Sequence, residues 1–306
     1  MNTLPRHILI VAHTGRADSL EAAVTVAGQL IAAGAIPVLA QGERDDVIAA
    51  EPDLAGRLVT LGETVQPAEL ELVIVLGGDG TILRAAELVR GCSAPLLGIN
   101  LGHVGFLAES ERDDLGSAVR RALHRDYAVE ERMSLGVRVK VLDEVVYETW
   151  ALNEVTVEKA SRKRMIEVVV EVDGRPLSSF GCDGVVMSTP TGSTAYSFSA
   201  GGPIVWPGVE ALLLVPLSAH ALFARPLVVG PDSSMAIEVL ARTGVSATLC
   251  SDGRRSFDLP PGARVIVRRS PVPVRLARLH SGIFTDRLVN KFNLPVTGWR
   301  GPVGRE

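Results

Sequence analysis

The feature that most constrains the fold of this chain is a change of hydrophobic period near Met133. Upstream of it, short continuous apolar runs alternate with helix-period stretches; downstream, apolar residues recur at every second position. Ile8-Leu9-Ile10-Val11-Ala12 is a strand-length run, followed by a polar break from His13 to Asp18 and a stretch that sets Leu20, Ala23, Val24, Ala27, Leu30 and Ile31 on one helical face. Ser19 is placed to cap that helix and Gly34 to end it, with Ile36 to Ala40 as the next strand. The alternation returns as a strand from Glu71 to Leu76, a helix from Thr81 to Arg90 ended by Gly91, and a strand from Pro95 to Asn100. A helix from Glu111 to Arg125 closes this half. Strand and helix in turn imply a parallel sheet with helices on its faces.

Beyond Met133, Val137, Val139 and Val141 alternate with polar neighbours, as do Val155 and Val157, Ile166 to Val172, Met235 to Val239 and Ala263 to Val267. Asp173-Gly174 and Asp252-Gly253 fall between such runs as hairpin turns. The chain is therefore expected to form an α/β domain with a parallel sheet over residues 1–133 and an all-β, sandwich-like domain over 134–280. A C-terminal tail, 281–306, carries Phe284, Leu288 and Phe292 at helical spacing and is expected to pack back on the first domain. With 306 residues, 47% of them hydrophobic, there is material for two cores.

A formal net charge of −4 argues against a broad cationic surface for nucleic acid, and Arg162-Lys163-Arg164 is too short to change that. That cluster reads as a solvated loop or as a phosphate contact. The 3 cysteines, Cys92, Cys182 and Cys250, have neither metal-ligand nor redox spacing, which fits a reducing cytoplasm, and Cys182 reads as a small buried apolar residue. Apolar runs such as Leu212 to Val215 stay far below the ~18 residues a membrane span needs, and the N-terminus lacks a signal-peptide pattern. No membrane partner and no metal-ligand cluster are expected.

Two loops carry the chemistry. Gly77-Gly78-Asp79-Gly80-Thr81 directly follows the apolar run Leu72 to Leu76, at a strand end where α/β proteins place ligands. Its glycines can take positive φ and leave N–H groups open to phosphate oxygens, and Thr81 opens a helix whose N-terminus favours an anion. It is neither the Walker pattern nor the dinucleotide fingerprint. On the loop alone, a phosphate site and an ordinary strand-end turn both stay open. Asp79 separates them: a carboxylate among phosphate-binding glycines repels its ligand unless it binds Mg²⁺ or takes a proton from a hydroxyl. Phosphoryl transfer tolerates so weak a base, because its loose transition state lets the proton leave late.

The second loop, Ser188 to Gly202, offers hydroxyls, main-chain donors and the Tyr196 ring, which suits a base and a sugar but also describes a Ser/Thr-rich surface loop. The preceding Cys182 to Met187 reads as a buried segment delivering that loop to the interior. Asn153-Glu154 adds an amide able to read an adenine edge and a carboxylate able to accept from ribose hydroxyls.

These segments, with Asn100-Leu101-Gly102, Gly105-Phe106-Leu107, Ser199-Ala200-Gly201-Gly202-Pro203, Ala224-Arg225-Pro226-Leu227 and Asp252-Gly253, resemble the bacterial NAD kinase family from about Ile8 to Phe292. The glycine-aspartate loop alone is shared with 6-phosphofructokinases and lipid kinases of the diacylglycerol kinase type. The Thr-Gly-Ser-Thr-Ala-Tyr segment with Asn-Glu narrows the match. The resemblance implies an α/β domain joined to a β-sandwich, a homo-oligomer (dimer or tetramer), and transfer of a phosphoryl group from ATP, or from polyphosphate, to the 2′-hydroxyl of the adenosine ribose of NAD. It makes Asp79 the proton acceptor and Gly78, Gly80 and Thr81 phosphate neighbours. Asn153 and Glu154 would hold adenine and ribose, Thr191, Thr194, Ala195, Tyr196 and Ser199 would line the adenosine pocket, and Asp183 would reach the nicotinamide end. Arg84, Phe106 and Arg164 complete the implied nucleotide contacts, and Mg²⁺ would arrive with the ATP. A sugar or lipid kinase sharing only the first loop, and a dinucleotide-binding regulator without catalysis, are the competing functions.

Overall fold

The structure, a computed structural model, describes residues 5–102, 105–111, 114–222, 224–280 and 284–296. The chain forms two compact units, Met1–Glu131 with Val274–Glu306, and Arg132–Pro273.

The first unit opens with β1 (His7–Ala12), α1 (Ala17–Ala32), β2 (Ile36–Leu39), α2 (Gln41–Ala50), β3 (Val59–Thr60) and β4 (Leu70–Leu76). It continues with α3 (Asp79–Leu88), β5 (Leu96–Asn100), β6 (Ser110–Glu111), α4 (Leu115–Leu123) and β7 (Ala128–Arg132). Near its end the chain returns to this unit with β20 (Val274–Arg278) and α6 (Phe284–Phe292). The sheet has 8 strands, ordered β3-β2-β1-β4-β5-β20-β7 with β6 beside β5, and its β1, β2, β3, β4, β5 and β20 pairings are parallel. Strand order reverses between β1 and β4, so the crevice beyond their C-terminal ends is where such a sheet receives ligands. Gly77 to Thr81 leave β4 at that point. Ala23, Val26, Ala27 and Leu30 of α1, Val47 of α2 and Val119 of α4 cover one face with Ile8, Ile10, Leu72 and Ile74 of the strands.

The second unit is built from β8 (Leu135–Val141), β9 (Glu144–Ala151), β10 (Glu154–Lys159), β11 (Ile166–Val172), β12 (Arg175–Cys182) and β13 (Gly184–Ser188). A short helix α5 (Tyr196–Ser199) precedes β14 (Leu212–Leu217), β15 (Leu227–Val229), β16 (Met235–Val239), β17 (Ala247–Ser251), β18 (Arg255–Leu259) and β19 (Arg264–Arg269). They make two antiparallel sheets of 6 strands, β15-β14-β13-β10-β17-β18 and β12-β11-β16-β19-β8-β9. Alternate residues such as Val137, Val139, Val155, Val157, Val168, Val170, Val185 and Met187 fill one shared core. Cys182 lies in that core, and burial pushes its thiol up to about 12, an inert group as its surroundings implied. The Asp173-Gly174 turn has φ of 52° and 75°, as a two-residue hairpin loop between β11 and β12 requires, and Asp252-Gly253, with φ of 53° and 64°, joins β17 to β18 together with Arg254 in a three-residue loop.

The architecture expected from the period change is present, with corrections. Val274–Arg278, expected in the all-β part, instead pairs with β5 in the first unit. A five-residue alternating strand carries nothing local that names its sheet. Ser19 does not cap α1: the helix starts at Ala17 after Arg16, and Ser19 is buried inside the first turn. Helix α2 had no expectation because it lacks an apolar stripe; of its residues only Val47 and Glu43 are buried. Helix α3 starts at Asp79, two residues before the expected Thr81. The expected helix from Glu111 is observed from Leu115, with Arg112 and Asp113 outside the described residues, as are 297–306 of the tail. The tail helix packs as expected, its Phe284 and Phe292 rings 6.0 and 5.9 Å from the Phe106 ring and Leu288 buried.

At the far edge of β4, Glu71 accepts from Arg6 at 2.6 Å and from Arg125 at 3.0 Å, and Arg6 first among them holds its carboxyl down at about 2. The unfolded value is 4.5, so this cluster stabilises the fold fully above that pH and loses its contribution as pH falls through about 2. Denaturation of Glu71→Gln against the native chain should show a deficit at neutral pH that closes in acid; a deficit independent of pH excludes this account.

Candidate active site

In the first unit the site is built where β4 ends. Gly77 has φ of 152°, and a Cβ on it would sit 2.5 Å from Thr81 Oγ1, so glycine is required there by conformation and crowding. Gly78 and Gly80 are different: neither has positive φ, and a Cβ on either would meet nothing within 4 Å. Their glycines leave main chain uncovered, the arrangement an approaching phosphate needs. Asp79 occupies the first turn of α3, where the helix N-terminus favours negative charge. Its carboxylate accepts the main-chain N–H groups of Phe106 and Leu107, both at 3.0 Å. A carboxylate offers about four lone-pair directions, so two remain for a substrate hydroxyl.

Arg84 and Phe106 are located less freely than the sequence suggested. Arg84 donates to Ala12 O at 2.8 Å and forms an ion pair with Glu43, bridging the ends of β1 and α2 beside the loop. Burial raises the Glu43 carboxyl while Arg84 opposes it, which is the usual balance of a shielded pair. The Phe106 ring is 8% exposed and packs on α6; it is the Phe106 main chain that faces Asp79.

In the second unit Asn153 and Glu154 are both buried at the entrance to β10. What holds them is Asp252: its carboxylate accepts the N–H of Leu152 at 2.9 Å and of Asn153 at 2.7 Å, and Arg255 donates to it at 3.1 Å. Arg255 also donates to Trp150 O at 2.9 Å and lies over the Trp150 ring at 4.7 Å. From the other side Thr189 donates its N–H to Asn153 O at 2.9 Å and its hydroxyl to Leu152 O at 2.6 Å. Gly192 presses on the same carbonyl so closely that a Cβ would stand 2.0 Å from Asn153 O. Thr191 receives Arg132 at 3.4 Å, and Thr194 donates back to Thr191 O at 3.3 Å. Through Thr189 and Gly192 the 188–202 loop and the Asn153-Glu154 segment form one structure.

Asn153 Oδ1 and Glu154 Oε2 are buried with no hydrogen-bond partner, each a cost of about 1–3 kcal/mol that a donating ligand would remove. Burial, then the charge of Asp252, pushes the Glu154 carboxyl up to about 8. Burial first, then the charges of Glu158, Glu154 and Asp183, raises the exposed Tyr196 phenol. Asp183 stands at the opposite end of β13 from Ser188, roughly 17 Å along the strand, and pairs with Lys159 at 2.5 Å. Ala195 turns the chain into α5, and Ser199 at its end is exposed. Arg164 is exposed in the turn before β11, apart from the strand end that carries Asn153 and Glu154. The sequence assigns no individual role to Asp252, Thr189 or Gly192, although Asp252-Gly253 stands both as a hairpin turn and within the family resemblance.

Comparison with known proteins decides the family. Residues 8–127 match the ATP-NAD kinase N-terminal domain and residues 152–279 the ATP-NAD kinase C-terminal domain. The NAD kinase of Leifsonia xyli is 75% identical over 98% of this chain and 99% of its own length, and NAD kinase 2 of Streptomyces coelicolor 56% identical over 97% of each. The chain belongs to the ATP-NAD kinase family. Among solved structures it is similar to yeast NADH kinase complexed with NADH, at TM-score 0.85 and 22% identity over 97% of this chain and 90% of the other. An NAD kinase from Archaeoglobus fulgidus in complex with ATP gives TM-score 0.63 at 24% identity over 94% of this chain and 97% of the other. At these identities the two structures speak for the fold of the family. Within that family frame the first loop is not that of a sugar or lipid kinase, and no described helix is long and apolar enough to cross a membrane.

Two outcomes follow from the geometry. Folded Glu154 keeps its proton up to pH about 8 while an unfolded glutamate loses it near 4.5, so stability falls as pH rises through that window. Glu154→Gln should remove that slope, its melting temperature gaining on the native chain from about pH 5 to about pH 8; a constant difference excludes the shift. Gly192→Ala forces Asn153 and the loop apart and should cost about 1–3 kcal/mol in chemical denaturation, whereas Gly78→Ala, with open space at its Cβ, should leave stability nearly unchanged.

Proposed function

We propose that the protein transfers the γ-phosphoryl group of ATP to the 2′-hydroxyl of the adenosine ribose of NAD, giving NADP, with Asp79 accepting the hydroxyl proton. One observation carries the assignment of Asp79: it is a carboxylate aimed by two main-chain N–H bonds, at a helix N-terminus, between two glycines that leave their backbone uncovered. A group fixed in this way needs no reorganisation when the hydroxyl arrives, and orientation is most of what a loose phosphoryl-transfer transition state asks of a protein. Gly78, Gly80 and Thr81 would lie along the phosphates.

The second unit binds the adenosine in this reading. The unpartnered Asn153 Oδ1 accepts the adenine amino group, the Glu154 carboxyl takes ribose hydroxyls, and Thr191, Thr194, Ala195, Tyr196 and Ser199 wall the pocket. Asp183, held by Lys159, serves the nicotinamide end. Arg164, exposed in the turn before β11, would meet a phosphate, and Arg84 acts through its bridge to Ala12 and Glu43.

Among the described residues no group of three or more His, Cys, Asp and Glu gathers to hold a metal, so the fitting place for a divalent cation is on the nucleotide. Mg²⁺ then enters as part of the donor, where it neutralises phosphate charge. A cytoplasmic homo-oligomer, without nucleic-acid or membrane partners, completes the reading; light scattering of the purified chain tests the assembly.

Incubation with NAD and Mg-ATP, assayed for NADP with a dehydrogenase specific for it, should give product; a companion mixture with polyphosphate defines the donor range. Asp79→Asn should keep the KM for NAD within about threefold and lower kcat by ~10²-fold or more. Near-native turnover in that variant would remove Asp79 from the chemistry.

A further inference from the structure

We propose that Arg287, on the C-terminal helix α6, is a positioning residue for Asp79: it locks the main chain of residues 106–108 so that their N–H groups hold the carboxylate in its working orientation. This deepens the role given to Asp79 above and rests on it.

The segment after β5 is bonded along both edges. On one edge, the Phe106 and Leu107 N–H groups donate to Asp79, each at 3.0 Å. On the other, Arg287 Nη1 donates to Phe106 O and to Ala108 O, both at 2.7 Å, and Arg278 Nη1 donates to Leu107 O at 3.1 Å. Phe106 C=O and Leu107 N–H belong to a single peptide unit, which is planar and rigid. The oxygen of that unit is held by Arg287 while its N–H is held by Asp79. Release of the oxygen frees the plane to rotate about its flanking bonds, and rotation carries the N–H away from the carboxylate.

The clamp is itself anchored. Glu109, its side chain 1% exposed, accepts from Arg287 at 2.9 Å, from Arg278 at 3.0 Å and from the His280 N–H at 2.8 Å. The Glu109 N–H in turn donates to Gly98 O of β5 at 2.7 Å. The Phe106 ring, seated by Phe284 and Phe292, fixes the same segment against α6 through apolar contact. Gly105 completes the fit: a Cβ there would stand 2.4 Å from Asp79 Oδ1, so nothing but hydrogen separates the segment from the carboxylate. A guanidinium suits this post because its planar fork can serve two carbonyls and a carboxylate at once, where an ammonium is a point charge. The distant C-terminal helix thereby acts on the loop that the sequence marks as catalytic.

The test uses the full-length chain in the NAD and Mg-ATP assay, comparing Arg287→Met and Arg287→Lys with Asp79→Asn. Arg287→Met should lower kcat by about tenfold or more with the KM for NAD within about threefold. It should also move the acid limb of the kcat profile to higher pH, because a carboxylate that loses an N–H donor holds its proton more readily. Arg287→Lys should recover part of both effects, and Arg287→Met added to Asp79→Asn should cost little more than Asp79→Asn alone. A folded Arg287→Met with native kcat, or one whose lowered kcat leaves the acid limb in place, overturns the proposal. Should Arg287→Met fail to fold, Arg287→Gln, which removes the guanidinium fork but leaves a neutral donor beside Glu109, must show the same shift, and an unmoved limb there overturns it equally. Turnover retained in Asp79→Asn would sink the reading of Asp79 itself; turnover lost in Asp79→Asn and kept in Arg287→Met would sink the clamp alone.

Discussion

Two carboxylates, one in each unit, do the same physical job: each takes the N–H groups of two successive residues that are remote from it in sequence. Asp79 holds Phe106 and Leu107, and Asp252 holds Leu152 and Asn153. Hydrogen bonds to an ionised acceptor are roughly twice as strong as neutral ones, and a carboxylate with two oxygens fixes the direction of a peptide pair as well as its position. In the first unit the main chain orients the carboxylate, the group proposed above to accept the proton. In the second the roles reverse: the buried carboxylate orients the main chain that carries Asn153 and Glu154, the side chains proposed to meet the adenosine.

Both arrangements need protection from water, and the two cores supply it differently. The parallel sheet delivers Gly77 to Thr81 at the point where strand order reverses, with α1, α2 and α4 sealing one face of the sheet. The sandwich buries Val155 and Val157 on the core side of β10, which sets Glu154 and Thr156 on its opposite face. The unpartnered Glu154 Oε2 and Thr156 Oγ1 on that face are offset by the continuous valine-rich core beneath them. Burial without a partner also makes Glu154 a poor acid, whereas the bonded carboxylates around it keep donors of their own.

Much of this was legible in the residues. Period two and period 3.6 distinguish the units because side chains alternate on strands and wind on helices, and that pattern is local. The loops at Gly77 to Thr81 and Ser188 to Gly202 announced themselves by composition. The individual glycines did not: Gly77 serves conformation, Gly78 and Gly80 leave space open, and Gly105 and Gly192 exist because another part of the chain presses against them. No local signal distinguishes these three uses. Arg84 looked available for a phosphate and is engaged with Glu43 on a helix whose polar sequence hid it.

The sequence by itself determined the two kinds of sheet, the two loops and the family, because hydrophobic period, turn residues and motif spacing are properties of neighbouring positions. The tertiary structure alone decided that β20 and α6 return to the first unit, that Arg287 and Glu109 brace the segment facing Asp79, and that Asp252 carries the Asn153 main chain. These are pairings between residues about a hundred or more positions apart in the second unit and nearly two hundred in the first, and contact at such separation is set by how closed sheets and packed helices fill space, which no stretch of neighbouring residues encodes.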